Sequence, residues 1–253
     1  MLARESVGRA VGGLIAPVAR QGSRLRRARV LHPDGVVYRA EVRPLSVAGD
    51  RALADVAARL AGPALVRLSG GLWRWRGGGD RARPDVLGVA VRFRGSEALS
   101  PEADPGDQDL LFASFRSMWT LPIAPLTTDV RDFLANVYHA VLPFDVTGLG
   151  RARCRLVPVR ASVTGEDRRE RLERAVSAGV AVFRLEIRQP RRPWVAVAEI
   201  ALRERVEMDQ QALRLTPFRT GRGIVPRGLI QAVRAAAYAG SQRGRQARGA
   251  STT

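Results

Sequence analysis

Lysine is absent from this chain of 253 residues, and all 42 basic residues are arginine. Together with abundant alanine, glycine, valine and proline, this uniformity indicates a bias of the coding sequence as much as selection for a basic surface. The formal net charge of +18 is therefore weak support for a nucleic-acid or anionic-surface partner. Most of the excess lies at the ends, because residues 1–29 carry +6 and residues 210–253 carry +8, which leaves about +4 between them.

Cysteine, histidine and aromatic residues are also scarce. The single cysteine, Cys154, excludes an internal disulfide and a thiolate metal cluster, and it is predicted to be a small core residue. The chain has 2 histidines and no cluster of histidine with carboxylates, which gives little support to a metal-dependent phosphate-ester hydrolase. Aromatic residues form no interleaved platform, so we expect no specific nucleic-acid partner.

Long apolar runs are missing as well. No segment approaches the roughly 18 apolar residues that a membrane-spanning helix needs. Residues 10–18, AVGGLIAPV, are short and interrupted by Pro17, and no convincing cleavage site follows them. They indicate an N-terminal arm that is compatible with weak peripheral membrane contact, and we expect a cytoplasmic location.

Alternation of apolar and polar residues predicts about eight strands. The clearest are VVYRAEV at 36–42, ALVRLSGGLWR at 64–74, VLGVAVRF at 86–93, DLLFAS at 109–114, RCRLVPVRASV at 153–163, VAVFRLEIRQ at 180–189 and WVAVAEIALRERV at 194–206. Helical spacing predicts helices over 49–60 and 127–142, a helix or turn over 165–179, and a C-terminal helix over 229–248.

This pattern predicts a mainly β chain with peripheral helices (α+β), folded as an antiparallel barrel or sandwich. No linker divides the sequence convincingly. We therefore predict a basic N-terminal arm over residues 1–29, a single domain over residues 30–245 and a flexible basic tail over residues 246–253.

Two groups of polar residues stand out near the first strands. His32 precedes the strand over 36–42 and follows Arg29 by three residues, and taken alone it is a turn histidine. Arg67 and Ser69 alternate with apolar neighbours, so they share one face of their strand. An arginine that points into a barrel is costly unless an anion meets it, and the alternative is that this face is solvated.

A third group lies near the C-terminus, in the stretch RAAAYAGSQRGR at 234–245. Tyr238, one of only 3 tyrosines, has Arg234 four residues before it, and Arg243 and Arg245 follow five and seven residues later. A solvated helix would need no aromatic ring among these arginines, so the spacing indicates a specific role for the ring.

In this order along the chain, the three groups resemble the catalase family over about residues 30–245. The family's distal segment, with Arg, two apolar residues, His and a strand that ends in Glu-Val, is similar to residues 29–42, RVLHPDGVVYRAEV. Its Val-Arg-Phe-Ser strand is similar to residues 66–69, and a hairpin strand to residues 84–93. Its haem-ligand helix is similar to residues 234–245. The resemblance implies an eight-stranded antiparallel β-barrel that binds haem b.

The resemblance implies that Tyr238 is the axial ligand of the haem iron. Arg234, one helical turn earlier, would then favour the phenolate form of the ring. Phenolate ligation is the mode that catalase-type haem uses. Arg29, Arg67 and Arg245 are implied to meet the haem propionates, since the guanidinium fork suits a carboxylate.

On the distal side, the resemblance implies that His32 moves a proton between the two oxygens of a peroxide, with Ser69 fixing its tautomer. The family also has a distal Asn, and the aligned position here is Ser114 or a neighbour. A serine hydroxyl is shorter than an amide and offers no N–H donor. Fast dismutation of hydrogen peroxide is therefore a poorer expectation than oxidation of a small organic reductant or processing of an organic hydroperoxide.

We thus predict a haem-dependent hydroperoxidase whose substrates are a peroxide and a small organic reductant or hydroperoxide, and an N-terminal arm that is compatible with a homodimer. The alternative is a haem-free basic protein that binds nucleic acid or an anionic membrane through its arginine-rich ends. His139 is expected to be an ordinary helix residue. The hydroperoxidase prediction depends on a haem iron bound by Tyr238, and a Tyr238 ring turned towards bulk water or a barrel interior filled solidly by side chains would contradict it.

Overall fold

The computed structural model describes residues 35–71, 83–96, 100–159, 163–209 and 212–227. The strands are β1 (Gly35–Pro44), β2 (Gly62–Gly70), β3 (Leu87–Phe93), β4 (Gln108–Ala113), β5 (Tyr138–His139), β6 (Phe144–Val146), β7 (Gly150–Pro158), β8 (Val182–Arg188), β9 (Val195–Arg205) and β10 (Ile224–Pro226). The α-helices are α1 (Arg51–Leu60), α2 (Ala124–Thr127) and α3 (Arg168–Ser177), and 3-10 helices span Met118–Ile123 and Phe133–Ala135. The predicted N-terminal arm, basic tail and C-terminal helix lie outside the described residues.

Eight of these strands close into an antiparallel barrel. The order around the ring is β1-β2-β3-β4-β5-β7-β8-β9, and β9 pairs back with β1. Strands β6 and β10 extend the sheet from the first residues of β7 and are not part of the ring. The prediction of a mainly β chain with an eight-stranded antiparallel barrel is confirmed. The narrowest seam is at β5, which meets β4 through the single residue pair Ala113 and His139.

The interior of the barrel is filled with side chains. Alternate residues of all eight ring strands point inwards and form one hydrophobic cluster, which includes Tyr38, Phe93, Leu110 and Phe183. An eight-stranded barrel is just wide enough for its side chains to fill. Cys154 lies in this cluster at 1% exposure, as predicted, and burial raises the pKa of its thiol to about 12. The interior therefore cannot enclose a haem, and any expectation that placed one there is wrong.

Two amphipathic helices pack against the hydrophobic cluster that fills the barrel. Helix α1 begins where the Asp50 side chain accepts a hydrogen bond from the backbone N–H of Leu53, at 3.1 Å. Its buried face presents Leu53, Val56, Ala57 and Leu60. Helix α3 begins in the same way at Asp167 and buries Leu172 and Ala175. Both helices agree with the sequence prediction.

The predicted helix over 127–142 is wrong. The structure has α2 and the second 3-10 helix in this region, followed by β5. Asp132 caps the backbone N–H of Leu134 at 2.7 Å, and the Asn136 side chain bonds to the backbone of Asp129 and Asp132. These short polar side chains offer the backbone partners that compete with helical hydrogen bonds, so the apolar spacing of three and four does not produce a long helix.

Residues 212–227, here called the strap, return across the outside of the barrel, where a fully buried ion pair anchors them. Arg92 on β3 and Asp109 on β4 face each other on the outer surface of the sheet, and both are 0% exposed. Asp109 accepts hydrogen bonds from Arg92 Nε at 2.9 Å, from Thr216 N at 3.0 Å and from Arg219 Nη1. Arg92 Nη2 also donates to the carbonyl of Arg214 at 2.9 Å.

The neighbouring Gln108 holds the next part of the strap. Its Nε2 donates to the carbonyls of Arg219 and Ile224, at 2.9 and 3.1 Å. Its Oε1 accepts from the backbone N–H groups of Arg222 and Ile224, at 3.3 and 3.2 Å. One buried amide thus satisfies four backbone groups, which fixes the strap against the end of β4.

Replacing Asp109 with Asn tests this anchor. The variant keeps the shape of the side chain but leaves the buried guanidinium of Arg92 without its counter-charge, which we expect to lower the free energy of unfolding by about 3–5 kcal/mol. The matched control is Asp145→Asn, because Asp145 pairs with Arg227 at 2.7 Å with both side chains nearly half exposed. The control should lose less than about 1 kcal/mol. Urea unfolding measures both, and equal losses would contradict the assignment.

Candidate functional site

The register of the sheet places Arg67 and Ser69 on the outer face of β2. Arg67 lies opposite Val37 of β1 and Ala90 of β3, and the apolar residues between these positions point into the barrel. Arg67 is nevertheless only 3% exposed and Ser69 only 4%. The shared face was predicted correctly. Both expectations for that face were wrong, since it is neither inside the barrel nor solvated.

Small residues surround this polar pair. Ser69 lies opposite Gly35 on β1 and opposite Gly88 on β3, and Gly88 in turn lies opposite Ala113 on β4. Ala90 is the next outward residue of β3. We call Gly35, Gly88, Ala90 and Ala113 the small-residue face, because none of them has a side chain larger than a methyl group. Gly88 and Ala113 would let a flat group approach the sheet closely, whereas the Arg67 guanidinium lies on Gly35 and Ala90 packs against an apolar cluster that includes Leu213.

Gly35 allows the Arg67 side chain to lie across β1. A Cβ atom on Gly35 would be 2.9 Å from Arg67 Cζ and 3.0 Å from its Nη2, and 2.5 Å from the backbone oxygen of Leu68. The guanidinium therefore packs directly on the glycine. A side chain at this position would have to displace either the guanidinium or the strand.

Next to this area, a small apolar cluster joins the barrel to the strap. Val37 and Leu65 point outwards and pack with Leu213 and Leu215 of the strap, and all four are 7% exposed or less. The Met208 side chain packs against the same cluster. The strap thus covers the outer face of β1 and β2 beside Arg67.

Ser114 does not join Arg67 and Ser69. Its position alternates with that of Ala113, so it lies on the opposite side of the sheet from the small-residue face. Its Oγ accepts from the backbone N–H of Leu87 at 2.9 Å and is 2.8 Å from Thr128 Oγ1, which donates to the carbonyl of Ala124. The Ser114 hydroxyl is thereby used in a structural chain of hydrogen bonds, and its neighbour Ala113 is the residue beside Gly88.

His139 lies on β5 and not on a helix, contrary to expectation. It points to the outer face, between Ala113 of β4 and Arg155 of β7. Burial, together with the positive charges of Arg155, Arg116 and other arginines, lowers the pKa of its imidazole to about 4. The ring is therefore neutral at pH 7.

The other predicted site residues, Arg29, His32, Arg234, Tyr238 and Arg245, lie outside the described residues. Of the predicted set, the structure brings Arg67 and Ser69 together and separates them from Ser114. The small-residue face was not predicted. Its signal is present in the sequence, because glycine and alanine alternate with valine at residues 88–91.

Within the described ranges, no group of three or more histidine, cysteine or acidic side chains could hold a metal ion. No helix in this part of the chain is long and apolar enough to cross a membrane. No protein-family model matches the sequence, and no curated protein matches it. The function must therefore be inferred from the residues themselves.

Gly35→Ala tests the contact between Gly35 and Arg67. Overpacking against a backbone oxygen and a guanidinium should lower the free energy of unfolding by about 1–3 kcal/mol. Gly95→Ala is the matched control, because a Cβ atom there would have no neighbour within 4 Å. We expect the control to change stability by less than about 0.5 kcal/mol. If urea unfolding gives the same value for both variants, the close packing of Arg67 on β1 is not supported.

His139 should make the protein less stable in mild acid. The imidazole has a pKa of about 6.5 in an unfolded chain and about 4 in the folded protein. Between these values the unfolded chain binds a proton that the folded protein does not, so the free energy of unfolding falls as the pH is lowered. Because the ring is partly exposed, solvent screening limits the loss to about 1 kcal/mol between pH 7 and 5. Urea unfolding of His139→Gln should lack this part of the pH dependence, and an unchanged dependence would contradict it.

Proposed function

We propose that the chain is a haem-dependent hydroperoxidase of the catalase-related type, with the haem against the outer face of strands β1–β4. The observation that carries the proposal is the burial of Arg67 beside the small-residue face. Haem b is a flat group with two carboxylates. A surface of glycine and alanine suits the flat part, and a buried guanidinium suits a carboxylate.

The filled interior counts against a haem inside the ring, so the proposal depends on a location outside it. Since the inward side chains of all eight ring strands pack together, a group as large as a porphyrin has to lie outside the ring. On the outer surface, both halves of the barrel carry long arginine side chains, but the small-residue face lies on β1, β3 and β4. This difference favours the first half.

The residues that would hold the haem are those that the resemblance assigns. Tyr238 would supply the axial oxygen, and Arg234 would hold the phenol in its deprotonated form. Arg29, Arg67 and Arg245 would bind the propionates. When bound, the haem supplies a ferric iron that reacts with peroxides.

On the other side, His32 would take a proton from one peroxide oxygen and return it to the other. His32 lies outside the described residues, but Gly35 follows it by three residues in the chain and is the cross-strand partner of Ser69. The role that the resemblance implies for the Ser69 hydroxyl is to fix the histidine tautomer. Near the position of the family's distal Asn, Ala113 has no donor and the Ser114 hydroxyl is engaged with Thr128. These features favour peroxidase activity over fast dismutation.

Reconstitution with hemin tests haem binding. The full chain should develop a Soret band, and Tyr238→Phe should lose it or show a shifted band with weaker retention of hemin. The matched control is Tyr38→Phe. The Tyr38 hydroxyl is buried and has no hydrogen-bond partner among the described residues, so its removal should not lower stability and should leave the Soret band unchanged. A chain that takes up no hemin contradicts the proposal.

A second comparison separates haem binding from chemistry. His32→Ala should retain the Soret band but react with peroxide at least roughly a hundredfold more slowly, because general acid–base catalysis contributes on the order of 10²–10⁴. A variant that reacts as fast as the parent contradicts the role of His32.

The haem-free alternative predicts that no hemin binds and that the chain binds nucleic acid or anionic vesicles in a steeply salt-dependent way. This binding should be lost when residues 1–25 and 246–253 are removed.

A further inference from the structure

Two arginines face each other on the outer surface of the second half of the barrel. Arg153 of β7 and Arg188 of β8 are direct cross-strand partners. Directly opposite side chains in an antiparallel pair have Cβ atoms about 4.5–5.5 Å apart, and like charges at such positions are destabilising. Among the described residues, no carboxylate lies within ion-pair distance of either guanidinium.

Several other outward arginines of the barrel have carboxylate partners, whereas Arg153 and Arg188 have none among the described residues. Arg184 pairs with Glu199 at 3.2 Å, and Arg39 pairs with Glu204 at 3.5 Å. Arg203 and Arg43 both contact Glu41, and this lowers the pKa of the carboxyl to about 2. An arginine-rich composition therefore does not by itself explain why Arg153 and Arg188 are placed together.

An indole ring supports this part of the surface. Trp194 precedes β9, and its ring centroid lies 4.7 Å from Arg188 Cζ and 4.4 Å from Arg155 Cζ. Contact with the ring restricts the Arg188 side chain, which lowers the entropy lost when its N–H groups bind a ligand. Arg155 is held from the other side by Glu186, with Nη2 2.6 Å from Oε2.

The surrounding field is strongly positive. Arg116, Arg153, Arg155 and Arg188 all lie near enough to His139 to lower the pKa of its ring. Among the described residues, Glu186 is the one carboxylate that forms an ion pair with any of these four arginines. The excess of positive charge therefore extends over β5, β7 and β8, and belongs to no single strand.

We propose that Arg153 and Arg188, supported by Trp194, form a binding site for a phosphate group, separate from the small-residue face. A phosphoryl group carries about 1.5–2 negative charges and three strong acceptor oxygens at pH 7. Two guanidinium forks on adjacent strands can each bind it through paired N–H donors. Arg155 is already paired with Glu186, so it adds to the positive potential at the site more than it contacts the phosphate directly. The phosphate could come from a small soluble molecule or from a lipid headgroup.

Calorimetric titration of the full chain with pyrophosphate at low salt tests the site. Arg153→Ala/Arg188→Ala should bind at least roughly tenfold more weakly, because a hydrogen bond between charged groups is removed at each position. The matched control is Arg51→Ala/Arg131→Ala, which removes the same charge from two exposed arginines elsewhere. The control should bind as the parent does, apart from a small non-specific loss. Equal binding by both double variants overturns the proposal.

A variant with the opposite expected effect guards against misfolding. Glu186→Gln removes the carboxylate that neutralises Arg155, so pyrophosphate should bind several-fold more tightly. A misfolded variant would not show a gain.

Co-sedimentation with phosphatidic acid vesicles, compared with phosphatidylcholine vesicles, separates the two sources of the phosphate group. Vesicle binding that the Arg153/Arg188 variant loses and the control keeps assigns the phosphate to a lipid headgroup. If neither pyrophosphate nor vesicles distinguish the two double variants, the site does not exist.

Discussion

The buried pair of Arg92 and Asp109 is the interaction on which the outer architecture depends. An arginine and an aspartate at 0% exposure have lost all contact with water, and their mutual attraction repays that cost only if the remaining donors and acceptors are satisfied. The strap supplies the missing partners, since Thr216 N and Arg219 donate to the carboxylate. The pair is therefore stable only with the strap in place, and the same hydrogen bonds hold the strap against the barrel.

The filled interior has a consequence for function. A closed eight-stranded barrel whose core is packed has only its outer surface for ligands. That surface divides into two different halves. On β1–β4 the outward residues include the small-residue face and the buried Arg67, Ser69, Arg92 and Asp109, and β1 also carries the partly exposed Arg39, Glu41 and Arg43. On β5, β7 and β8 they are long, cationic and partly exposed. The first half fits a flat group that covers the sheet, whereas the second half fits a compact anion that contacts side-chain ends.

Strands were predictable from the sequence where alternation continued over six residues or more, because a pleated strand that is buried on one face imposes a period of two. Strands β5, β6 and β10 have only two or three residues, too few to show a period. Alternation also could not tell which face of β2 is the interior, because both faces are buried in this protein. Arg67 and Ser69 were thus recognised as a pair but assigned to the wrong side. The predicted helix over 127–142 failed because Asp132 and Asn136 satisfy the backbone locally.

Arginine occupies three different environments in this barrel, and composition alone cannot separate them. Arg92 is buried and fully paired, so it contributes to the fold. Arg184 is exposed and paired with Glu199, and such surface pairs contribute little. Arg153 and Arg188 lie opposite each other, and no carboxylate among the described residues is within ion-pair distance of either. Their repulsion lowers the stability of the fold. A ligand that neutralises the two charges would remove this repulsion in the bound state. The positions of the unpaired charges are therefore more informative about function than the total charge.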